Sequence, residues 1–266
     1  MPDVTSTPDS TAPARERRPQ RRALLRAALA GGAVLGAGAA VPASAPAAPL
    51  PVPLLRPDAP GPLHAPPAVP GRPGTPGAAL RALRHGNRRW ATRHQTHPHE
   101  AAGDRLLAVS EQHPFALVLG CVDSRVPPEL VFDQGLGDLM TVRSAGCVLD
   151  EAVLGSVAYG VLELGIPLVM VLGHQSCGAV TAAVRADGTG EAQPAHIAYV
   201  TEQIRPAIDR TRTGPARVDA TITAQTRLVT GRLAAEPDLA ARVGTGRLAV
   251  VGARYELSSQ RVRTVA

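Results

Sequence analysis

Short apolar runs that alternate with helical patterns constrain the fold of this chain more than any other feature of its sequence. Four runs have the length and apolar content of buried strands: HPFALVLG at 113–120, DLMTVRSAG at 138–146, PLVMVLG at 167–173 and RLAVVGARYEL at 247–257. The closing RVRTVA at 261–266 is a candidate to pair beside the last of them. Strands separated by helices form a largely parallel sheet. The sequence therefore predicts an α/β fold, a mostly parallel β-sheet flanked by helices on both faces.

The segments between these runs have apolar residues at helical spacing. Leu83 and Trp90 are apolar anchors of a first amphipathic helix, and Asp150 is the candidate N-cap of a helix rich in valine and leucine. Three further segments show helical spacing. The five predicted helices are 78–95, 153–162, 176–186, 190–213 and 218–243. In parallel sheets, functional sites form beyond the carboxyl ends of the strands, so the residues that follow each apolar run are the candidates to inspect.

The first 45 residues have the pattern of an export signal. A basic start is followed by an Ala/Gly-rich stretch and the small residues Ala43, Ser44 and Ala45. The pair Arg21-Arg22, followed by apolar residues and a further arginine, resembles the twin-arginine export pattern and predicts an extracellular or cell-envelope location. A disordered basic tail is the open alternative. The apolar stretch is shorter than the roughly 20 residues of a membrane span, so no stable span is expected.

A tether rich in proline and alanine separates this signal from the rest of the chain. Residues 46–76 contain 12 prolines in 31 positions, which cannot sustain helix or sheet hydrogen bonding. We therefore predict three parts: a twin-arginine-type export signal at 1–45, a linker at 46–76 and a folded domain at 77–266.

The charge of the chain does not indicate a nucleic-acid partner. The formal net charge is +6, but residues 1–45 contain six arginines and three acids, so about half of the excess lies in the predicted export signal. The rest of the chain has no basic run with interleaved aromatic residues, and the whole chain has only six Phe, Trp and Tyr residues. The distribution therefore argues against nucleic-acid binding.

The segment GCVDSR at 120–125 follows the first apolar run. In an extended chain, side chains two residues apart point the same way, so Cys121, Asp123 and Arg125 would share one face. Asp123 and Arg125 can then form an ion pair that keeps the carboxylate ionised. Taken alone, this segment favours a structural interpretation, because buried cysteines and surface Asp–Arg pairs are common.

The segment GHQSCG at 173–178 changes that interpretation. His174 lies at a strand–helix junction, and Cys177 is predicted within the first helical turn, where it can converge with the histidine and ionise readily. The alternative is a capping histidine beside a core cysteine. Two thiolates and one imidazole form a three-ligand zinc site with a fourth position for water. The two segments together predict one zinc ion per chain, bound by Cys121, His174 and Cys177.

GCVDSRVPPEL and LGHQSCGAV resemble the signature segments of the β-class carbonic anhydrases, and the likeness extends through HGNRRW, FDQGLGDLMTVRSAG and VLGSVAYGVLELGIPLVMVLGH. The resemblance implies that Cys121, His174 and Cys177 are zinc ligands and that Asp123 and Arg125 form an acid–base dyad beside the metal. It implies reversible hydration of carbon dioxide to bicarbonate and a proton, by a homodimer or higher homo-oligomer. Some members have a closed state, in which Asp123 would be a fourth zinc ligand.

The sequence departs from this family pattern at two places. Some bacterial members bind a regulatory bicarbonate with Trp, Arg and Tyr, and here Arg143 and Tyr159 are at comparable positions, but Val118 replaces the Trp. Cys147 replaces a residue that is usually Asn. We interpret Cys147 as an inert core residue, with an exposed, oxidisable thiol as the alternative.

Three alternatives to carbon dioxide hydration remain open at this point. Some relatives hydrolyse carbonyl sulfide or carbon disulfide at the same metal site. A catalytically silent homologue would keep zinc for structure alone, although such a site needs no Asp123–Arg125 dyad. An exported protein with a Cys121–Cys177 disulfide is the third, and the odd cysteine count and the adjacent histidine argue against it.

Overall fold

A computed structural model describes residues 71–109 and 112–265, without the side chains of 105–107. The predicted export signal and most of the predicted linker lie outside the described residues. The described helices are α1 (Pro76–Ala91), α2 (Ala102–Leu107), α3 (Pro128–Val131), α4 (Glu151–Leu162), α5 (Gly178–Thr189), α6 (Ala195–Ile204), α7 (Gly214–Ala235) and α8 (Pro237–Gly244). The described strands are β1 (Ala116–Gly120), β2 (Leu139–Arg143), β3 (Leu168–His174), β4 (Ala249–Glu256) and β5 (Arg261–Thr264).

The five strands form one sheet in the order β2-β1-β3-β4-β5. The first four strands are parallel to their neighbours, and β5 pairs antiparallel with β4. Alternate residues of β1 and β3 belong to two separate apolar clusters. Helices therefore cover both faces of the sheet. The predicted fold class, a mostly parallel sheet flanked by helices, is confirmed.

All seven residues of the central strand β3 are buried, as its continuous apolar sequence predicts for a strand covered on both faces. Its carboxyl end lies close to helix α7. A Cβ atom at Gly173 would lie 2.2 Å from the Oγ1 atom of Thr226 on that helix. Glycine at this position therefore lets α7 pack directly against the end of β3, where His174 follows.

The two long helices predicted at 190–213 and 218–243 are wrong in their extent. The first is α6, which begins after Pro194 and passes into a single 3-10 turn at Arg205–Ala207. The second is interrupted at Glu236, whose backbone is extended because Pro237 follows it. In both cases proline overrides a continuing apolar pattern.

Two short helices, α2 and α3, are not indicated by the sequence pattern. Helix α3 is only four residues long and begins with proline in its first turn. Such short elements bury too few residues to show a period. Among the described residues, none of the helices combines the length and apolar character that a membrane span requires.

Candidate metal centre

Three potential metal ligands converge at one edge of the sheet. Cys121 is the first residue after β1, His174 is the last residue of β3, and Cys177 directly precedes α5. Since β1 and β3 are parallel neighbours, their carboxyl ends meet at the same edge. The two Sγ atoms and the imidazole nitrogen all lie within 4.8 Å of one another, and all three residues are buried.

The imidazole of His174 has one nitrogen occupied and one free. The Nδ1 atom lies 2.9 Å from the carbonyl oxygen of Gln175 and donates to it, which leaves Nε2 as the nitrogen with a lone pair. Nε2 is buried and has no hydrogen-bond partner among the described residues. Buried polar atoms normally have a partner, so this orphaned nitrogen beside two thiols is the arrangement expected of a metal ligand.

The two thiols of the cluster lie close enough to affect each other's ionisation. The Sγ atoms of Cys121 and Cys177 are 3.9 Å apart, about twice the length of a disulfide bond, and both cysteines are free. The hydrogen bond from Cys177 lowers the pKa of Cys121 against the effect of burial, and the Gly146 N–H also donates to the Cys121 sulfur. The same bond and burial raise the pKa of Cys177. One thiolate therefore forms more easily than two.

The local backbone conformation around the cluster differs from the sequence prediction. Cys177 is the N-cap residue of α5 and not part of its first turn, because the chain reverses at Ser176, which has a φ of +56°. The segment after Cys121 is a turn and not an extended chain. The structure nevertheless brings all three predicted ligands together, since two strand ends place Cys121 and His174 and the turn at Ser176 places Cys177.

Asp123 and Arg125 form a bidentate ion pair within that turn. Arg125 donates from Nε to one carboxylate oxygen at 2.9 Å and from a terminal nitrogen to the other at 2.7 Å. The Arg125 backbone N–H donates to the same carboxylate at 2.9 Å. These hydrogen bonds lower the pKa of Asp123 to about 2. Oδ2 of Asp123 lies 4.0 Å from the free Nε2 of His174, so an ionised carboxylate faces the cluster.

Arg143 fixes the backbone of this turn, a role that the sequence analysis missed. Its guanidinium donates to the carbonyl oxygens of Cys121 at 2.9 Å and of Asp123 at 2.7 Å. The register that pairs Gly120 with Arg143 across β1 and β2 places the side chain there. No pattern in the sequence indicates this role, because it depends on which strands are neighbours in the sheet.

The three residues compared with a regulatory bicarbonate site are not assembled for that purpose. Arg143 is occupied by backbone carbonyls, and Val118 is fully buried in the apolar cluster on the α1 face of the sheet. Tyr159 is half-exposed on α4, which packs against the opposite face. Cys147 is buried, and its thiol donates to the Leu172 carbonyl at 3.5 Å, in agreement with the interpretation as a core residue. Burial raises its pKa.

Replacing Arg143 with alanine is expected to weaken metal binding by about 10- to 100-fold, because the turn that positions Cys121 and Asp123 loses the guanidinium that binds its backbone carbonyl oxygens. Competition with a fluorescent zinc chelator measures this affinity. Arg185→Ala is the control, since an exposed ion pair with Glu191 is the only contact given for the Arg185 side chain within the described part of the chain. Equal affinities of the two variants would contradict an anchoring role for Arg143.

An open cleft of about 380 Å³ leads to the cluster. Cys121 and Asp123 lie at one side of it, and Ala179, Ile197 and Val200 contribute apolar surface. A small uncharged molecule can therefore approach Asp123 and Cys121 along an apolar wall.

Comparisons with known proteins agree with this geometry. A family model described as carbonic anhydrase matches residues 116–262. Carbonic anhydrase 2 of Mycobacterium tuberculosis is 40% identical over 186 residues, which cover 69% of this chain and 90% of that protein. The carbonic anhydrase of Mycolicibacterium smegmatis is 40% identical over 187 residues, covering 70% of this chain and 91% of that protein.

Solved structures show a similar fold. The β-carbonic anhydrase CcaA has a TM-score of 0.56 at 23% identity, with 70% of this chain and 94% of that chain covered. One of two tetrameric β-carbonic anhydrases from Sordaria macrospora also has a TM-score of 0.56, at 18% identity over 70% of this chain and 96% of that chain.

Proposed function

The chain belongs to the β-carbonic anhydrase family, and from this premise we propose that it catalyses the zinc-dependent, reversible hydration of carbon dioxide to bicarbonate and a proton. One observation carries the proposal: the Cys121–His174–Cys177 cluster faces an ionised Asp123 that Arg125 holds in place. A metal site that served structure alone would need the three ligands but not the Asp123–Arg125 pair.

The donor set fits a zinc ion. Two thiols and one imidazole are ligand types that zinc prefers, and the orphaned Nε2 of His174 supplies the nitrogen. Three protein ligands leave the fourth position of a tetrahedral ion for water. We assign Cys121, His174 and Cys177 as the ligands of one zinc ion per chain. When bound, the zinc ion acts as a Lewis acid that lowers the pKa of its water to about 7.

Asp123 orients the nucleophile. Its Oδ1 is occupied by two donors of Arg125, whereas Oδ2 accepts one hydrogen bond from Arg125 and keeps a lone pair on the side of His174. With a pKa of about 2, the carboxylate stays an acceptor at neutral pH. Oδ2 therefore accepts a hydrogen bond from the attacking water. This bond directs a lone pair of the water oxygen at the carbon atom of carbon dioxide in the cleft.

The two hydrogen bonds from the Arg125 guanidinium to Asp123 oppose the closed state. For Asp123 to become a fourth metal ligand, the carboxylate would have to exchange hydrogen bonds to Arg125 for the metal. The described arrangement, with both carboxylate oxygens bonded to Arg125, corresponds to an open state. We propose this open state as the working form.

Metal analysis combined with a stopped-flow assay of carbon dioxide hydration tests the proposal. The expected result is one zinc ion per chain and rapid hydration that is lost on chelation and restored by zinc. Turnover of carbonyl sulfide or carbon disulfide without carbon dioxide hydration would instead support the hydrolase alternative. Full zinc occupancy without turnover of any of these substrates would support the catalytically silent alternative.

We further propose that the chain forms a homodimer or a higher homo-oligomer. The Sordaria macrospora structures described as tetrameric support this proposal. Light scattering at micromolar concentration should give at least twice the monomer mass, and an active monomer would contradict it.

Export by the twin-arginine route is proposed from the sequence, since Arg21 and Arg22 lie outside the described residues. This route carries folded proteins, so the thiols of Cys121 and Cys177 can bind zinc in the reducing cytosol before they meet an oxidising space. Arg21→Lys combined with Arg22→Lys is expected to leave active, zinc-loaded enzyme in the cytosol, because charge is kept and only recognition of the arginine pair is lost. Fractionation followed by immunoblotting measures this, and unchanged export of the double variant would exclude the twin-arginine route.

A further inference from the structure

A buried glutamine on helix α7 lies beside the metal cluster. Gln225 is only 4% exposed. The small cavity that it lines is also lined by Cys121, His174 and Cys177. Gln225 does not line the cleft through which carbon dioxide is proposed to approach. The proposed reaction gives this residue no role, although it shares a cavity with all three proposed ligands.

The Gln225 side chain is only partly satisfied by hydrogen bonds. Its Nε2 donates to the carbonyl oxygen of Gly146 at 3.4 Å, whereas its Oε1 is buried and has no hydrogen-bond partner among the described residues. An amide oxygen that is buried without a partner destabilises the folded state. An apolar side chain of the same length would avoid this cost. The contact with Gly146 is therefore what the amide provides and an apolar side chain would not.

Gly146 connects Gln225 to a proposed metal ligand. The Gly146 N–H donates to the Cys121 Sγ atom at 3.4 Å, and the backbone of Asp123 also donates to this sulfur. Asp123 belongs to the same turn as Cys121, whereas Gly146 belongs to the 3-10 turn that follows β2. The Gly146 N–H therefore stays on the sulfur only if that second segment is held in place.

Gly146 has a backbone conformation that few other residues adopt. Its φ of +64° lies in the left-handed region, and a Cβ atom at this position would lie 2.7 Å from the Cδ1 atom of Ile204. Glycine fits here, but it is also the residue whose backbone has the widest range of conformations. A hydrogen bond to its carbonyl oxygen restricts that range. Gln225 thus holds Gly146 from one side while the N–H of Gly146 faces Cys121.

We propose that Gln225 is a positioning residue of the metal centre, which keeps the Gly146 N–H directed at the Cys121 sulfur. A hydrogen bond to a thiolate stabilises its negative charge and tunes the bond between sulfur and metal. The inference rests on the proposed zinc site and adds to it a residue that acts through the backbone. The alternative is a structural role, in which Gln225 only fills space beside α7.

Gln225→Met tests this role, because methionine keeps the length of the side chain and removes both polar atoms. The zinc affinity of the full chain, measured by competition with a fluorescent chelator, is expected to fall by about tenfold, the lower end of the usual range for residues that support a ligand. In the cobalt-substituted chain, the thiolate-to-metal charge-transfer band is expected to move to longer wavelength, because loss of a hydrogen bond raises the energy of the sulfur electrons.

Thr226→Ser is the matched control. Thr226 is adjacent to Gln225 and lines the same cavity, but its hydroxyl donates within α7 to the carbonyl oxygen of Ile222. The serine variant changes the packing beside the cavity and keeps this hydrogen bond, so its zinc affinity and cobalt spectrum should match the wild type. Gln225→Asn keeps an amide but is one methylene shorter, which moves its NH₂ group out of reach of Gly146. It should show the same shift as Gln225→Met and replaces that variant if methionine prevents folding.

The outcomes separate this inference from the proposed function. Wild-type zinc affinity and an unchanged cobalt spectrum in Gln225→Met would overturn the inference and leave the zinc site intact. A loss of thermal stability without a shift of the band would indicate a structural role and overturn it as well, as would the same shift in Thr226→Ser. A wild-type chain that bound neither metal would overturn the proposed function together with the inference.

Discussion

Replacing Cys177 with alanine is expected to remove the metal ion and, with it, carbon dioxide hydration. The cluster has three donor atoms within 4.8 Å of one another, and two remaining donors cannot enclose a tetrahedral ion. Loss of a residue that merely supports a ligand weakens metal binding by about 10- to 100-fold, so loss of a ligand should exceed about 100-fold. Elemental analysis after dialysis against a weak chelator measures the zinc content per chain.

Cys147→Ala is the control, since Cys147 is equally buried and lies beside the cluster, but its thiol donates to a backbone carbonyl and is not one of the three convergent donor atoms. It should retain one zinc ion and full activity. Cys121→Ala and His174→Ala should behave like Cys177→Ala. If all three of these variants kept full zinc occupancy, the ligand assignment would be wrong.

The convergence of Cys121 and His174 could be predicted from the sequence because it depends on strand ends. Cys121 and His174 each lie at the end of an apolar run, and parallel neighbouring strands bring such ends to one edge. This argument tolerates errors in the intervening elements. The predicted helices at 190–213 and 218–243 were too long, yet the positions of the ligands do not depend on where those helices end.

The local geometry of the site could not be predicted in the same way. The position of Cys177 before α5 depends on the positive φ of Ser176, and such a backbone conformation is rare for a residue other than glycine, asparagine or aspartate. The anchoring role of Arg143 depends on the pairing of β1 with β2, and the order of strands in a sheet does not follow from alternation along the chain. Tertiary packing determines both features.

Replacing Asp123 with asparagine is expected to keep the zinc ion and to lower carbon dioxide hydration by about 10²- to 10⁴-fold, the usual contribution of general acid–base catalysis. The carboxylate accepts at both oxygens, whereas an amide has one acceptor and one donor group. In the wild type, Nε and a terminal nitrogen of Arg125 each donate to one oxygen of Asp123. An asparagine amide has one oxygen and can accept only one of these two hydrogen bonds. Either Arg125 therefore loses a hydrogen bond, or an NH₂ group takes the place of the Oδ2 acceptor. Stopped-flow hydration and zinc content on the same sample measure the two effects separately.

Asp187→Asn is the control because it makes the same chemical change in another aspartate that is paired with arginines. Asp187 binds Arg210 and Arg217 and lines neither the cleft nor the cluster. It should retain activity even if its surface pairs loosen. Arg125→Ala should resemble Asp123→Asn, since it releases the carboxylate from its orientation without removing it. Wild-type turnover in Asp123→Asn at neutral pH would show that the carboxylate is dispensable. Loss of zinc from this variant would instead mean that Asp123 contributes to metal binding itself, as in a closed state.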